Sequence, residues 1–259
     1  MATAGVLPAS GTQVLLREPT GEDELLVLES SGPDTATILT LATRLAGDPA
    51  GRSIDWLELP AVELGAAALL IRRAWLGNRI RTEALCPAPE CNETIDVAFS
   101  VPTYLDHHAP RPFRGATESE PGWFALRGTD TRFRIPTIGD LIAEVEGPGF
   151  ETAMLERCLR PADPPAAVAK RIDRALEALA PRLDGEVGGT CPNCRQTVNL
   201  RFEPISYVLE ELRDASRGLF EQVHELAASY HWSEQAILVL GRRRRLGYVA
   251  MIRGELAPV

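Results

Sequence analysis

The sequence predicts an α+β fold that is mainly helical, with small antiparallel β-hairpins that form a duplicated, zinc-ribbon-like pair of knuckles. Two close cysteine pairs lie about 100 residues apart, Cys86 with Cys91 and Cys191 with Cys194. Alternating apolar residues follow both pairs and also precede the first, which is typical of strands next to a tight turn. Residues 205–259 instead place apolar residues at a spacing of about 3.6, which predicts amphipathic helices.

The two cysteine pairs together have the composition of one tetrahedral zinc site. Structural zinc takes four protein ligands, with Zn–S distances of about 2.3 Å, and a short turn can present two of them. Pro87, Pro89 and Pro192 stiffen the two turns. We therefore expect one Zn²⁺ to be bound by four thiolates, those of Cys86, Cys91, Cys191 and Cys194. Because the protein fills every position, such a site stabilises a fold and leaves no position for a substrate.

The flanks of the cysteine pairs repeat as well. A shift of 103 residues places Cys91 on Cys194, and the same shift aligns Thr94 with Thr197, Phe99 with Phe202 and Tyr104 with Tyr207. We interpret this as a duplicated unit of knuckle, strand and helix start, whose copies face each other across one metal ion with a pseudo-twofold relation. A redox dithiol or a disulfide pair are the alternatives, but neither needs the second pair or the repeated flanks.

Composition and charge bound the class of protein. The chain has 259 residues, of which 45% are hydrophobic and 24% charged, and a net charge of −9. These are globular values, and the acidic balance argues against a chain-wide surface for nucleic acid or an anionic membrane. No apolar run reaches the roughly 18 residues of a membrane span. The first ten residues lack a signal-peptide pattern, and cysteines in metal spacing suit a reducing cytoplasm.

The domain organisation that we expect is one compact unit over residues 1–259. Within it, we distinguish an N-terminal strand–helix segment, 1–50, and a C-terminal helical segment, 205–259. Between them, 51–204 forms the duplicated helix and knuckle core with a central insertion.

The elements before the first knuckle follow from local patterns. Residues 14–17 and 25–28 have the composition of short strands, and the acidic stretch 18–24 between them contains a proline and a glycine, so we interpret it as a solvated turn. A helix is expected over 35–45, and another from the first turn at Pro60 to Gly77. Strands are expected on either side of the first knuckle, at Arg79–Leu85 and Thr94–Ser100.

The central part of the chain reads as loop, hairpin and helices. Residues 104–120, with two adjacent histidines and two prolines, are expected to form a surface loop. A hairpin is expected from 123–127 and 131–135, and Thr137 then caps a helix with Asp140 three residues later. The next elements are a break at 147–149 and helices at 151–159 and 165–180. Cys158, the fifth cysteine, is expected to be a buried small hydrophobe.

The one locally basic feature is a run of four arginines near the end of the chain, Arg242, Arg243, Arg244 and Arg245. Consecutive residues point all round a helix, so these four cannot form one face that reads a nucleic-acid groove. The alternatives are a solvated or carboxylate-paired helix start, a docking site for a partner protein, or a nucleic-acid contact, which the acidic chain disfavours. The functional expectation is partner binding.

Catalytic motifs are missing from the sequence. It contains no phosphate-binding glycine loop, no dinucleotide-binding glycine pattern, no HExxH and no GxSxG. We therefore expect a protein that is not an enzyme.

Two stretches and the knuckles resemble a known family. Residues 16–24 (LREPTGEDE) look like the opening of the T-even-phage-type baseplate proteins, a family of baseplate hub assembly chaperones. The two knuckles, and residues 230–238 (YHWSEQAIL) followed by the arginine run, are similar to zinc-knuckle members encoded beside contractile tails and phage-like injection systems. Residues 103–183 carry no matching motif. The resemblance covers both ends and the knuckles, and carries over no catalytic residues.

The resemblance implies a function of assembly. We expect a non-enzymatic assembly factor or minor structural component of the baseplate or hub of a phage-like contractile injection system. Its partners would be hub, spike or wedge proteins, with no membrane and no nucleic acid, in the cytoplasm or within a tail-like particle. The alternatives are a zinc-ribbon nucleic-acid adaptor and a thiol redox protein.

Overall fold

The chain folds into helices and small antiparallel sheets. The computed structural model describes residues 3–31, 34–120, 122–143 and 150–255. It is 47% helix and 23% strand, which confirms the predicted mixture of helices with small antiparallel hairpins. The elements in chain order are β1 (Thr3–Val6), β2 (Gln13–Leu16), α1 (Gly21–Glu29), α2 (Asp34–Leu45), β3 (Ala46–Gly47), a 3₁₀ turn (Trp56–Glu58), α3 (Glu63–Leu76), β4 (Arg79–Leu85), β5 (Thr94–Ser100), α4 (Val101–His107), β6 (Ala116–Glu120), β7 (Trp123–Leu126), β8 (Arg132–Arg134), α5 (Ile138–Ala143), α6 (Phe150–Cys158), β9 (Leu159–Arg160), α7 (Ala166–Leu179), β10 (Gly185–Thr190), β11 (Thr197–Phe202), α8 (Pro204–Ser216), α9 (Leu219–Tyr230), α10 (Glu234–Leu238) and α11 (Arg242–Arg253).

Four antiparallel sheets connect these elements. One has the strand order β1-β2-β3 and another β6-β7-β8-β9, while β4 with β5 and β10 with β11 form separate two-stranded hairpins. In the first sheet Leu16 lies opposite Ala46, and in the second Phe133 lies opposite Leu159. In both sheets the outer strand follows directly on a helix, α2 or α6.

The same order of elements occurs twice along the chain. The first tract is β1-β2-α1-α2-β3-α3-β4-β5-α4, and the second is β7-β8-α5-α6-β9-α7-β10-β11-α8. The corresponding helices α3 and α7 both have 14 residues. The first tract has an additional 3₁₀ turn before α3, and β6, α9, α10 and α11 lie outside the two tracts.

The largest core lies around α3. Eleven of its residues are buried, so the helix is apolar on nearly every side and occupies the middle of a cluster that includes Ile38, Leu209 and Phe202. A second cluster packs α7 against β7, β8 and β9, through Phe133, Ile172 and neighbours. A third surrounds the cysteines, and a fourth lies within α9, α10 and α11. The cysteine turns and the C-terminal helices therefore have apolar cores separate from that of the main body.

The predicted strand at 25–28 is wrong, and so is the solvated turn before it. Residues 21–28 of these two stretches belong to α1, whose N-cap is Thr20. The carboxylate of Asp23 accepts a hydrogen bond from the backbone N–H of Thr20 at 2.9 Å, which completes a capping box. Acidic residues are favoured in the first turn of a helix, where backbone N–H groups have no carbonyl partner. Asp23 and Glu24 are fully buried because the tertiary structure supplies arginines to both.

The predicted loop at 104–120 is shorter than expected. α4 continues to His107, because Ser100 caps it by accepting from the backbone N–H of Thr103 at 3.2 Å, and β6 begins at Ala116. The apolar face expected over 205–230 is divided between α8 and α9 at the Arg217–Gly218 turn. The predicted break at 147–149 lies outside the described residues.

Candidate metal centre

Two hairpin turns carry the four cysteines. β4 and β5 pair in register from Arg79 opposite Ser100 to Leu85 opposite Thr94, with the strand bounds that the alternation predicted. β10 and β11 close with Thr190 opposite Thr197. The first cysteine of each pair lies directly after a strand, and its backbone N–H continues the ladder across the turn. Cys86 donates to the Glu93 carbonyl and Cys191 to the Gln196 carbonyl, both at 2.9 Å.

The two turns share a backbone feature just after their second cysteine. Asn92 follows Cys91 with φ 47°, and Arg195 follows Cys194 with φ 62°. The left-handed region costs free energy for residues other than glycine, so these conformations persist where surrounding contacts require them. In the second turn the N–H of Arg195 bonds the carbonyl of Cys191 at 2.9 Å. The reversal turns both cysteines of a pair toward the same point.

The four sulfur atoms converge. The Sγ atoms of Cys86, Cys91, Cys191 and Cys194 all lie within 4.8 Å of one another. The distance from Cys86 to Cys194 is 3.5 Å, and that from Cys91 to Cys191 is 3.8 Å. Thiolates at about 2.3 Å from one tetrahedral ion are about 3.8 Å from each other. The four predicted ligands therefore come together in a cluster that could hold a metal ion, and four thiolates are a donor set typical of zinc.

The cluster is buried at one end and open at the other. Cys86 and Cys191 are buried, with Ala84 and Val198 against them, while Cys194 is exposed. The side-chain amide of Asn193 reaches the Cys91 sulfur at 3.4 Å. The apolar side thus faces the strands, and the turns face solvent.

Backbone N–H groups favour the thiolate of Cys191 over that of Cys86. The N–H of Cys194, with that of Asn193, hydrogen-bonds the Cys191 sulfur and lowers the pKa of this thiol to about 7. The N–H of Ala88 acts in the same sense on Cys86, but burial and the neighbouring sulfurs outweigh it and raise that pKa to about 12. Metal ligands must be deprotonated, so a metal ion at this cluster would compete with the proton on Cys86.

Aromatic rings join the two hairpins below the cysteines. Phe99 at the end of β5 meets Phe202 at the end of β11, with ring centroids 5.1 Å apart in an edge-on arrangement. Tyr104 lies 5.2 Å from Phe99, and Tyr207 lies 5.1 Å from Phe202. The four residues that the 103-residue shift pairs in sequence are therefore in one aromatic cluster.

The two tyrosines form reciprocal hydrogen bonds. Tyr104, which follows the first hairpin, donates to the carbonyl of Leu183 just before the second hairpin at 2.5 Å. Tyr207, which follows the second hairpin, donates to the carbonyl of Arg81 in the first at 3.2 Å. Burial raises the pKa of both phenols to about 12, so both remain donors at neutral pH. Each hairpin is thus held by the helix that follows the other.

Two arginines of the run pair with a buried carboxylate, and the other two are exposed to solvent. Arg245 is fully buried and pairs with Glu24 at 2.5 Å, and Arg242 pairs with the other oxygen of Glu24 at 3.1 Å. Arg243 and Arg244 are exposed, and within the described part of the chain neither lies within ion-pair distance of a carboxylate. The carboxylate-paired helix start therefore applies to two of the four, and two are accessible.

An aromatic group lies beside the exposed arginines. Tyr230 and Trp232 stack with centroids 5.0 Å apart, and Tyr248 meets Trp232 edge-on at 5.1 Å. Arg244 donates to the Tyr248 hydroxyl at 3.2 Å, with its guanidinium over that ring. Tyr230 is exposed, and Met251 is 61% exposed.

The two adjacent histidines lie apart from the cysteine cluster, beside Arg111 and Arg174. Nδ1 of His108 lies 2.9 Å from the carbonyl oxygen of Tyr104, and the His108 ring meets that of His107 edge-on. Among the described residues, the four cysteines are the one group of three or more His, Cys, Asp or Glu that could hold a metal ion. Cys158 is buried, as expected, and burial raises its pKa to about 11.

Sequence reasoning missed a repeated polar motif. Arg17 holds Asp23 through two hydrogen bonds, and Arg134 holds Asp140 in the same way. The Arg134 bond lowers the pKa of Asp140 to about 2, against the effect of burial. The signal was present in the sequence as Arg-x-Pro-Thr-x-x-Asp at 17–23 and at 134–140.

Comparison of the chain with protein-family models, with curated proteins and with solved structures finds no match. In the described residues, no helix has both the length and the apolar character needed to cross a bilayer.

Proposed function

We propose that the four cysteines bind one structural Zn²⁺ and that the two turns are duplicated zinc knuckles. The convergence of four Sγ atoms from two hairpins within 4.8 Å carries this proposal. The left-handed residue after each second cysteine and the reciprocal tyrosine bonds support a duplicated, pseudo-twofold arrangement. A zinc ion there joins hairpins that are distant in sequence, and leaves no open coordination position for chemistry.

Zinc content and thermal stability test the shared site. Cys191→Ser removes one ligand, so we expect bound zinc to fall from about one per chain to near zero, and the melting temperature to fall by about 10 °C or more. The measurements are elemental analysis after gel filtration and a calorimetric scan. Cys158→Ala is the matched control, because it removes a cysteine outside the cluster, and it should keep the zinc. Unchanged zinc and stability in Cys191→Ser would show that the four cysteines do not share one ion.

We further propose that the protein is a non-enzymatic assembly factor or minor component of the baseplate or hub of a phage-like contractile injection system. The resemblance of residues 16–24, the knuckles and the C-terminal stretch to baseplate proteins motivates the family. The closed ligand set at the cysteines supports a structural role for the metal rather than a catalytic one.

The docking surface that we assign to this function lies on α11 and on the turn from the end of α9 to α10. It combines Arg243 and Arg244 with the aromatic group of Tyr230, Trp232 and Tyr248. Tyrosine, tryptophan and arginine are the residue types most enriched in interface hot spots. The arginines favour a partner segment rich in carboxylates, from a hub, spike or wedge protein.

Binding measurements on paired arginine variants test this surface. Arg243→Ala with Arg244→Ala should weaken the complex with the partner baseplate protein by about tenfold or more, and should reduce its salt dependence. The control is Arg79→Ala with Arg81→Ala, which removes the same charge from the exposed edge of β4. Equal affinity of both variants would remove the arginines from the docking surface, although it would leave the zinc site untouched.

A tagged pull-down from the native organism separates the remaining roles. Recovery of hub, spike or wedge proteins, with no tagged chain in purified particles, would identify an assembly chaperone. The chain in both samples would identify a baseplate component. Recovery of nucleic acid or a polymerase would replace this proposal with the zinc-ribbon adaptor.

A further inference from the structure

Two nearly identical polar motifs each receive a segment that leads into a helix. We call them the N-terminal joint (Arg17, Pro19, Thr20 and Asp23) and the central joint (Arg134, Pro136, Thr137 and Asp140). In each, the arginine holds the aspartate by two hydrogen bonds. The threonine N–H donates to the same aspartate at 2.9 Å, and its hydroxyl does so at 3.1 Å. The geometry of one joint is thus repeated in the other.

The joints bind their segments by the same backbone pairing. In the N-terminal joint Thr20 bridges Gly241, and the flanking bonds run from Gly21 N–H to the Leu240 carbonyl and from Arg242 N–H to the Pro19 carbonyl, at 3.3 and 3.2 Å. The received segment leads into α11.

In the central joint Thr137 bridges Pro60. The flanking bonds run from Ile138 N–H to the Leu59 carbonyl and from Ala61 N–H to the Pro136 carbonyl, both at 2.8 Å. The received segment leads into α3. Backbone pairing alone therefore does not distinguish the α3 segment from the α11 segment.

Side chains at equivalent positions do distinguish them. The residue after the joint aspartate is Glu24 in one joint and Leu141 in the other. Four residues after the bridged position, the received segment has Arg245 in one case and Leu64 in the other. Glu24 and Arg245 are both fully buried and pair at 2.5 Å, and Leu64 is fully buried in the main core.

Neighbouring groups complete the ionic pair. Arg245 also donates to the side-chain oxygen of Gln222 on α9 at 2.9 Å, and Arg242 contributes a second positive charge to Glu24. Burial of such a pair contributes little net stability, because desolvation of both charges offsets their attraction. The pair has a larger effect on the free energy of the wrong arrangements, in which a joint binds the segment that belongs to the other joint. The α3 segment in the N-terminal joint would leave Glu24 without Arg245, and the α11 segment in the central joint would place Arg245 beside an apolar position.

We propose that Glu24 and Arg245 form a specificity pair that assigns the α11 segment to the N-terminal joint and excludes the α3 segment, of the same chain or of a second copy. The C-terminal helices α9, α10 and α11 have a separate apolar core around Leu226, Ile237 and Val249, so they can dock as a body. The N-terminal joint is therefore a docking site that selects a helix start with an arginine in its first turn.

Co-refolding of labelled and unlabelled full-length chains in zinc-containing buffer tests the proposal. Native mass spectrometry counts mixed-label oligomers, and hydrogen exchange reports protection of the Gly21 and Arg242 amides. Glu24→Leu alone should lower protection of both amides by about tenfold or more, because Arg245 loses its counter-ion. Glu24→Leu with Arg245→Leu should restore folding but raise mixed-label oligomers by about tenfold, because the two positions that distinguish the joints then carry leucine in both.

The control is Glu22→Leu with Arg243→Leu, which makes the same change at exposed positions on the same two helices. It should refold to monomer with both amides protected. The proposal is overturned if the double leucine variant of Glu24 and Arg245 refolds to the same monomer as the wild type, since pairing would then need no ionic discrimination. It is also overturned if that variant fails to fold, because the ionic pair would then be needed for the stability of the fold and not for the choice of segment.

Discussion

At the scale of single residues, one buried carboxylate has no basic side chain within ion-pair distance among the described residues. Glu63 in the first turn of α3 is fully buried, and one of its oxygens accepts from the Ser10 N–H at 2.6 Å. Its other oxygen has no hydrogen-bond partner among the described residues. Burial raises the pKa of Glu63 above its usual 4.5, although the bonds from Ser10 oppose this. Compared with the unfolded chain, the folded state therefore binds the Glu63 proton more tightly.

Stability should depend on pH through this residue. Because the folded pKa of Glu63 is raised, its contribution is fully present below about pH 4.5 and is lost as pH rises through the folded pKa. Glu63→Gln cannot ionise, so we expect this variant to match the wild type at low pH and to be more stable than it at pH 8. Melting temperatures across this pH range measure the difference. Glu210→Gln, an exposed position on α8, should show no such trend, and a constant offset for Glu63→Gln would contradict the assignment.

At the scale of elements, contacts between the two hairpins are more informative than contacts within either one. Tyr104 and Tyr207 extend from helices that follow the hairpins, and each bonds a carbonyl in or before the opposite hairpin. The Phe99–Phe202 contact lies between them. These contacts position the two cysteine turns even before a metal ion is bound, so the ligand geometry depends on the helices as well as on the turns.

Removal of each tyrosine hydroxyl should show which of the two hydrogen bonds contributes more to the free energy of unfolding. Tyr104→Phe loses a short, buried hydrogen bond and should lower the free energy of unfolding by about 1 kcal/mol. Tyr207→Phe loses a longer and more exposed bond, so its effect should be smaller, about 0.5 kcal/mol. Urea unfolding measures both. Tyr230→Phe serves as control because its hydroxyl lies on the exposed aromatic group. A Tyr207 effect larger than that of Tyr104 would rule out this order.

At the scale of the whole molecule, the metal centre and the main core are separate apolar clusters. The cysteines pack with Ala84 and Val198, whereas α3 is packed by α2 and α8 in another cluster. The central joint connects the two tracts through backbone bonds, and the N-terminal joint connects the first tract to the segment before α11. Loss of one cluster therefore need not unfold the other.

Chelation of zinc should consequently open the cysteine ends of the hairpins and spare the main core, to which Ile80 and Phe202 at their other ends belong. We expect hydrogen exchange of the residues next to the cysteines in β4, β5, β10 and β11 to accelerate by about 100-fold or more in the presence of a chelator, while the amides of α3 keep their protection. Exchange followed by mass spectrometry measures both. The Cys191→Ser variant should behave the same way without chelator. Simultaneous loss of protection in α3 would mean that the metal holds the entire fold.

Several elements were predictable because their signals are local. The bounds of β4 and β5 follow from alternation over seven residues, and the cap of α5 follows from Thr137 and Asp140, three residues apart. The strand expected at 25–28 failed because short apolar runs do not distinguish a strand from a helix. There the arginines that pair with the buried carboxylates of Asp23 and Glu24 stabilise a helix start that local composition presents as a polar turn.

The sequence by itself determined the four cysteines that come together and the two hairpins that present them, since spacing and alternation act over a few residues. The tertiary structure alone decided that Arg245 turns inward to Glu24, 221 residues away, while Arg243 and Arg244 remain outside. Consecutive arginines have the same chemistry, and their roles separate only when a helix packs one side against a buried carboxylate. Pairing over such distances depends on the free energy of packing, which local patterns do not contain.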